Sequence, residues 1–65
     1  MKNIFEEYDS VVAKRDINDR VKKGTIGCIV MLHDMENFIV EFFVDDNLGN
    51  VIDVLTVRAV DVEII

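Results

Sequence analysis

The chain has 65 residues, of which 51% are hydrophobic and 31% charged, and its formal net charge is −6. This length allows one domain at most, and so apolar a composition excludes a disordered tail. The single cysteine excludes an internal disulfide, and no apolar run approaches the roughly 20 residues needed to span a bilayer.

The first eight residues are expected to lead into the domain. Ile4, Phe5 and Tyr8 fall at helical spacing, so this segment is either a short helix packed on the domain or an extended chain. Its start is acidic after two apolar residues, which is not the pattern of a signal peptide. Together with the lone cysteine, this predicts a cytoplasmic protein that is not inserted in a membrane.

Two strands are predicted in the first half of the domain. Residues 9–15 favour a first strand because they hold adjacent β-branched residues, and residues 16–23 are typical of a polar loop. Gly24 then favours a turn, and Gly27 lies early in the second strand, residues 25–32, where glycine usually marks a bulge or a sharp bend. Strict alternation places Ile26, Cys28, Val30 and Leu32 on one face of this strand, with Ile29 and Met31 on the other.

The third strand is predicted over residues 38–44, after a hairpin loop at residues 33–37. Since a carboxylate belongs on the solvent side, Glu41 marks the outer face of this strand, and alternation puts Ile39 and Phe43 beside it. Two interpretations of this apolar outer face stay open. Either the lead-in covers it, or it is an exposed docking patch rimmed by carboxylates.

A hairpin and a closing strand complete the chain. Residues 45–50 have the composition of a turn, and residues 51–57 form the predicted fourth strand, with Asp53 taken as the marker of its outer face. Residues 58–61 are short enough for one 3-10 turn before a last strand at residues 62–65. The fourth strand is thus expected to place Val51, Asp53 and Leu55 outside and Ile52, Val54 and Thr56 inside.

Five short strands in 65 residues predict an all-β fold, namely a small five-stranded SH3-like barrel. We expect one domain over residues 1–65, with residues 1–8 as the lead-in and residues 9–65 as the barrel.

Two family resemblances follow from this layout. Residues 23–30 resemble the Gly-x-x-Gly-x-Val core of KOW-type motifs in SH3-like barrels. From Tyr8 onward the chain resembles the bacterial domain-of-unknown-function family 4926. The matching positions are Tyr8-Asp9, Gly24, Gly27, Val40-Glu41-Phe42, Gly49 and Leu55-Thr56-Val57. The resemblance implies a small barrel and assigns no activity, and the proline usual in the family near Arg58 is absent here.

The sequence contains no recognisable catalytic or metal-binding set. His33 is predicted to be a solvated loop residue, and Cys28 on its apolar strand face is predicted to be buried and inert. Asp45, Asp46 and Asp53 lack the spacing of a calcium loop, and the hairpin already accounts for the first two. We therefore expect no enzyme activity, no cofactor and no metal.

The uneven distribution of charge is the main functional indication. Residues 1–33 carry six basic and five acidic side chains, whereas residues 34–65 carry one and eight. An acidic surface accelerates the approach of a basic partner. The sequence therefore predicts a non-catalytic protein-binding module, such as an immunity or antitoxin-like protein that masks a basic, toxin-like partner. The predicted partner-binding residues are Glu41, Phe43, Asp45, Asp46 and Asp53.

Two alternative functions are kept. A KOW-like barrel would bind nucleic acid through the basic cluster, although no aromatic residues interleave with these cations and the overall acidity disfavours phosphate binding. An accessory subunit of a larger complex is the other alternative, and an edge strand also allows self-association. The basic cluster consists of Lys14, Arg15, Arg20, Lys22 and Lys23.

Overall fold

Five strands form one antiparallel sheet in the computed structural model, which describes residues 4–44 and 47–65. They are β1 (Ser10–Ala13), β2 (Ile26–Leu32), β3 (Asn37–Val44), β4 (Asn47–Arg58) and β5 (Val62–Ile64), and a 3-10 turn at Ala59–Asp61 joins the last two. The strand order is β4-β3-β2-β1-β5, so β5 returns across the domain to pair with β1. The predictions of an all-β, five-stranded fold and of the 3-10 turn are confirmed.

One hydrophobic core draws residues from every strand of the sheet. The loop between β1 and β2 also contributes, because Val21 is completely buried. A sheet whose strands all face a shared interior is barrel-like, and the domain is correspondingly small, with extents of 25 × 22 × 20 Å. The buried core residues are Val11, Ala13, Val21, Ile29, Phe38, Val40, Phe42, Val57 and Val62.

The lead-in forms a turn and an extended segment, and the short helix that was one expectation is not seen. The Asp9 amide donates to the Glu6 carbonyl, and the Glu6 amide donates to the Asp9 carboxylate at 2.9 Å. Tyr8 has a φ of 69°, a left-handed conformation that an α-helix does not contain. Phe5 packs on Phe38 with ring centroids 4.6 Å apart, so the lead-in covers the core and not the outer face of the sheet.

A bulge in β2 corrects the predicted faces of that strand. Ile29 pairs with Val40 and Met31 pairs with Ile39, so Val30 is an extra residue in the ladder. The extra residue puts two consecutive side chains on the outer face and returns the next one to the core. Ile29 and Leu32 therefore both pack in the core, although strict alternation had separated them.

The bulge lies at Val30 and not at Gly27, which pairs in register with both neighbouring strands. Gly27 is required for a different reason. A Cβ at this position would lie 2.7 Å from the carbonyl oxygen of Glu41 and 2.7 Å from Cγ1 of Val40. The close approach of β2 to β3 thus depends on the absence of a side chain.

The predicted faces of β4 are wrong for residues 53–56, whereas Val51 is 47% exposed, as predicted. Leu55 packs against the core, whereas Val54 and Thr56 are exposed. The prediction was wrong because Asp53 was taken to mark the outer face. Asp53 pairs with the buried Phe42, beside the register shift after Phe42, and is half-buried on the inner face in the middle of β4.

The hairpin between β3 and β4 is shorter than predicted. Val44 pairs with Asn47, so β4 begins within the segment that was expected to be a loop. The predictions for Asp45 and Asp46 lie outside the described residues.

Candidate protein-binding surfaces

The described members of the predicted partner-binding set do not share one surface. Glu41 is half-buried on the outer face of β3, but Phe43 is only 8% exposed. The β3–β4 register shifts on both sides of Phe43, which interrupts the alternation that had placed it beside Glu41. The expectation of an exposed Phe43 is therefore wrong. Asp53 is on the inner face, and the predictions for Asp45 and Asp46 fall outside the described residues.

The outer surface of β2, β3 and β4 is mainly apolar around Glu41. Cross-strand partners share a face of the sheet, and Glu41 has Cys28 on one side and Val54 on the other. The neighbouring row holds Met31, Ile39 and Thr56. Val54 is 50% exposed and Met31 is 52% exposed. We name this surface the Glu41 face, and its members are Cys28, Met31, Ile39, Glu41, Val54 and Thr56.

The Glu41 carboxylate has neither an ion pair nor a side-chain hydrogen bond within residues 4–44 and 47–65. Its charge acts on the neighbouring thiol instead. Partial burial, followed by the charges of Glu41 and Asp9, raises the pKa of Cys28, so this side chain is a neutral thiol at neutral pH. Cys28 is half-buried rather than buried as predicted. Its raised pKa disfavours the thiolate that a nucleophile needs.

The basic cluster lies on and beside the loop between β1 and β2, and all its members are exposed. Arg15 is engaged with Asp61, whose Oδ1 lies 2.7 Å from Nη2 of the guanidinium. Polar side chains shape the loop itself. The side-chain oxygen Oδ1 of Asn18 accepts hydrogen bonds from the backbone amides of Arg20 and Val21 at 2.8 and 2.7 Å, and the Asp16 carboxylate accepts one from the backbone amide of Lys23 at 2.8 Å. These cations therefore belong to a loop with its own structural order.

An apolar groove of about 470 Å³ opens beside the β2–β3 loop. This groove was not predicted from the sequence, because its walls come from the lead-in and from the hairpin loop, which meet only in the folded chain. The available signal was Met35, an apolar residue in an otherwise polar loop, which is 90% exposed. The lining residues are Ile4, Phe5, Leu32, Asp34, Met35, Phe38 and Ala59.

Metal ligands do not converge in the part of the chain that the structure describes, where no group of three or more His, Cys, Asp or Glu side chains could hold an ion. His33 is exposed in the loop after β2, as predicted. Among the same described residues, no helix has the length and apolar character needed to cross a membrane.

The fold and these surfaces define a small all-β, barrel-like domain. A family model described as "Domain of unknown function (DUF4926)" matches residues 7–64, and the chain belongs to this family. The resemblance noted in the sequence is thereby confirmed. Searches of curated proteins and of solved structures return no match. The more specific SH3-like assignment stays a prediction.

Proposed function

We propose that this protein is a non-catalytic, acidic module that binds a basic protein through the Glu41 face. The observation that supports this proposal is the half-buried Glu41 carboxylate, which lies among apolar side chains and has no ion pair among the described residues. Such a group is costly to bury further unless a cation accompanies the apolar contact. The surface therefore favours a partner that offers both.

Arginine is the side chain that fits this surface best. Its guanidinium binds a carboxylate with two parallel hydrogen bonds, and its plane and stem pack on apolar side chains such as Val54 and Met31. The net charge of −6 adds a long-range attraction that accelerates the approach of a basic protein.

The specific form of the proposal is an immunity or antitoxin-like protein of the cytoplasm that masks a toxin-like partner. Small size, acidity and the lone cysteine support this form. The expected consequence is inhibition. Expression of the partner alone should arrest growth, and coexpression with this protein should restore it.

The test begins with capture of partners from the native cell by the tagged chain, at low and at high salt. The captured protein is then purified, and its association and dissociation rates are measured with the wild type, with Glu41→Gln and with Glu63→Gln. Glu63 is an exposed residue of β5, away from the Glu41 face, so its substitution removes the same charge elsewhere. We expect Glu41→Gln to weaken binding by about tenfold, chiefly through faster dissociation, and Glu63→Gln to weaken it by less than about twofold.

Equal affinities for the wild type and Glu41→Gln would remove the Glu41 face from the interaction. An acidic or neutral partner that survives high salt would favour the accessory-subunit alternative. The eluate could instead contain nucleic acid that the double variant Lys22→Ala, Lys23→Ala no longer captures. That result would favour nucleic-acid binding by the basic cluster.

A further inference from the structure

The groove beside the β2–β3 loop has an apolar floor and an adaptable rim. Phe5 and Phe38 pack together in its floor, and Phe38 is completely buried beneath. Ile4 and Met35 form the rim, and they are 72% and 90% exposed. Exposed methionines adapt to differently shaped apolar ligands. A volume of about 470 Å³ is within the range of ligand sites in proteins.

Among the described residues, Asp34 is the charged residue that lines this groove. Its Oδ1 accepts the backbone amides of Glu36 and Asn37 at 2.8 and 2.9 Å, and both carboxylate oxygens accept the Asn37 side-chain amide. Hydrogen bonds from the Glu36 amide and from the side chain and backbone amide of Asn37 lower the pKa of Asp34. The carboxylate is therefore held in place and negatively charged at the edge of an apolar surface.

We infer that the groove is a second docking site, which takes an apolar side chain of the partner protein with a neighbouring Lys or Arg paired to Asp34. The negative charge of Asp34 favours this ligand, because it is complementary to a Lys or Arg side chain. The lining offers apolar contact and a fixed carboxylate, and an exposed segment of a basic protein presents both features together. The inference rests on the proposed function only in taking the partner to be a basic protein, and the site is separate from the Glu41 face.

The test uses short peptides as probes of the full chain. The first probe is acetyl-Gly-Leu-Arg-Gly-amide, the second has Gln in place of Arg, and the third has Ala in place of Leu. Each is titrated to about 10 mM into isotopically labelled protein, so that weak contacts are detected. We expect the first probe to shift the backbone amide signals of Phe5, Leu32 and Phe38, and to bind more tightly than either of the other two.

Two variants and one control assign the contacts. Asp34→Asn keeps an oxygen for the loop amides but removes the charge, so it should weaken the Arg probe by about two- to fivefold and leave the Gln probe unchanged. Met35→Ala removes an exposed rim side chain and should weaken both probes. Glu63→Gln removes the same charge from β5 and should leave both affinities unchanged.

Each contrary result overturns the inference. These are the absence of shifts at about 10 mM, shifts centred on the Glu41 face, and equal affinity for the Arg and Gln probes. Tighter binding of a free amine such as phenethylamine would assign the groove to a small molecule. None of these results bears on the rates measured for Glu41→Gln. The proposal for the groove and the proposal for the Glu41 face can therefore be overturned independently.

Discussion

Asp61 is a buried charged residue of the 3-10 turn, and it contacts the start of the β1–β2 loop and the end of β4. Its side chain is 6% exposed. Its carboxylate accepts hydrogen bonds from Nε of Arg15 at 2.8 Å and from the backbone amide of Arg58 at 3.0 Å. Its carbonyl oxygen also accepts the Lys14 amide at 2.9 Å. The contacts tie the start of the β1–β2 loop to the 3-10 turn. Arg15 was predicted to belong to a nucleic-acid patch, and the structure gives it this structural contact.

We predict that Asp61→Asn destabilises the protein by about 1–3 kcal/mol at pH 7, because it removes charged hydrogen bonds from a buried group. Burial tends to raise the pKa of Asp61, but hydrogen bonds from Arg58 and Arg15 and their charges outweigh it and lower the pKa below 3.8. A lowered pKa in the folded state stabilises the protein above the ordinary value, and this contribution is lost as the pH falls through the folded value.

Urea unfolding at pH 7 and near pH 3 checks this prediction. The difference in the free energy of unfolding between the wild type and Asp61→Asn should shrink at the lower pH. Asp19→Asn, a change at an exposed loop position, should leave stability nearly unchanged. A difference that stays constant between the two pH values would show that the charge of Asp61 is not what stabilises the fold.

At the scale of elements, the bulge in β2 decides which side chains enter the core. Val30 is the extra residue between two regular stretches of the β2–β3 ladder. Its deletion should leave Ile29 and Leu32 on the inner face, because regular alternation then spans Ile29, Met31 and Leu32. Deletion of Cys28, which pairs in register, should instead move the residues before it to the wrong face.

We therefore predict that the Val30 deletion folds with native-like strand pairing, whereas the Cys28 deletion is unfolded or far less stable. Some stability should be lost even in the first variant, since bulges also help small sheets to curve. Amide exchange of β2 and β3 together with urea midpoints measures both effects. The assignment of Val30 as the extra residue would be contradicted if its deletion were as damaging as that of Cys28.

The strands could be predicted from the sequence, but their faces only in part. Glycine turns and β-branched runs indicate where strands lie, and both signals are local. The bulge leaves no such signal, because Val30 and Met31 are both apolar and either face would accept them. The prediction for β4 was wrong for a related reason. Asp53 pairs with Phe42 in the last regular pair before the register shifts, and its half-buried carboxylate keeps access to solvent on the inner face, although alternation treats it as an outward residue.

The candidate surfaces were predictable to a similar degree. Glu41 was correctly placed on an outer face, since charged side chains seldom face a hydrophobic core. Phe43 was misplaced because register shifts on both sides of it arise from pairing with β4 and not from its own neighbours. The groove could not be predicted, because Phe5 and Phe38 meet only when the lead-in crosses the end of the core.

At the scale of the whole molecule, the excess of carboxylates opposes the folded state. The domain measures 25 × 22 × 20 Å, and like charges interact across all of it at low salt. The screening length falls from about 30 Å at 10 mM salt to about 10 Å at 0.1 M. Salt then largely removes the repulsion between distant carboxylates. The attraction between Arg15 and Asp61, which form a partly buried ion pair, is screened much less.

We therefore predict that the free energy of unfolding at pH 7 rises by up to about 1 kcal/mol between 10 mM and 0.1 M sodium chloride. The double variant Asp19→Lys, Glu63→Lys reduces the net charge from −6 to −2 at two exposed positions, and its stability should depend much less on salt. Urea unfolding of both proteins at the two salt concentrations measures the effect. Stability of the wild type that falls with salt would mean that attractive ion pairs outweigh the repulsion. In that case the acidity of the second half would be locally compensated, and the long-range attraction invoked for a basic partner would lose its support.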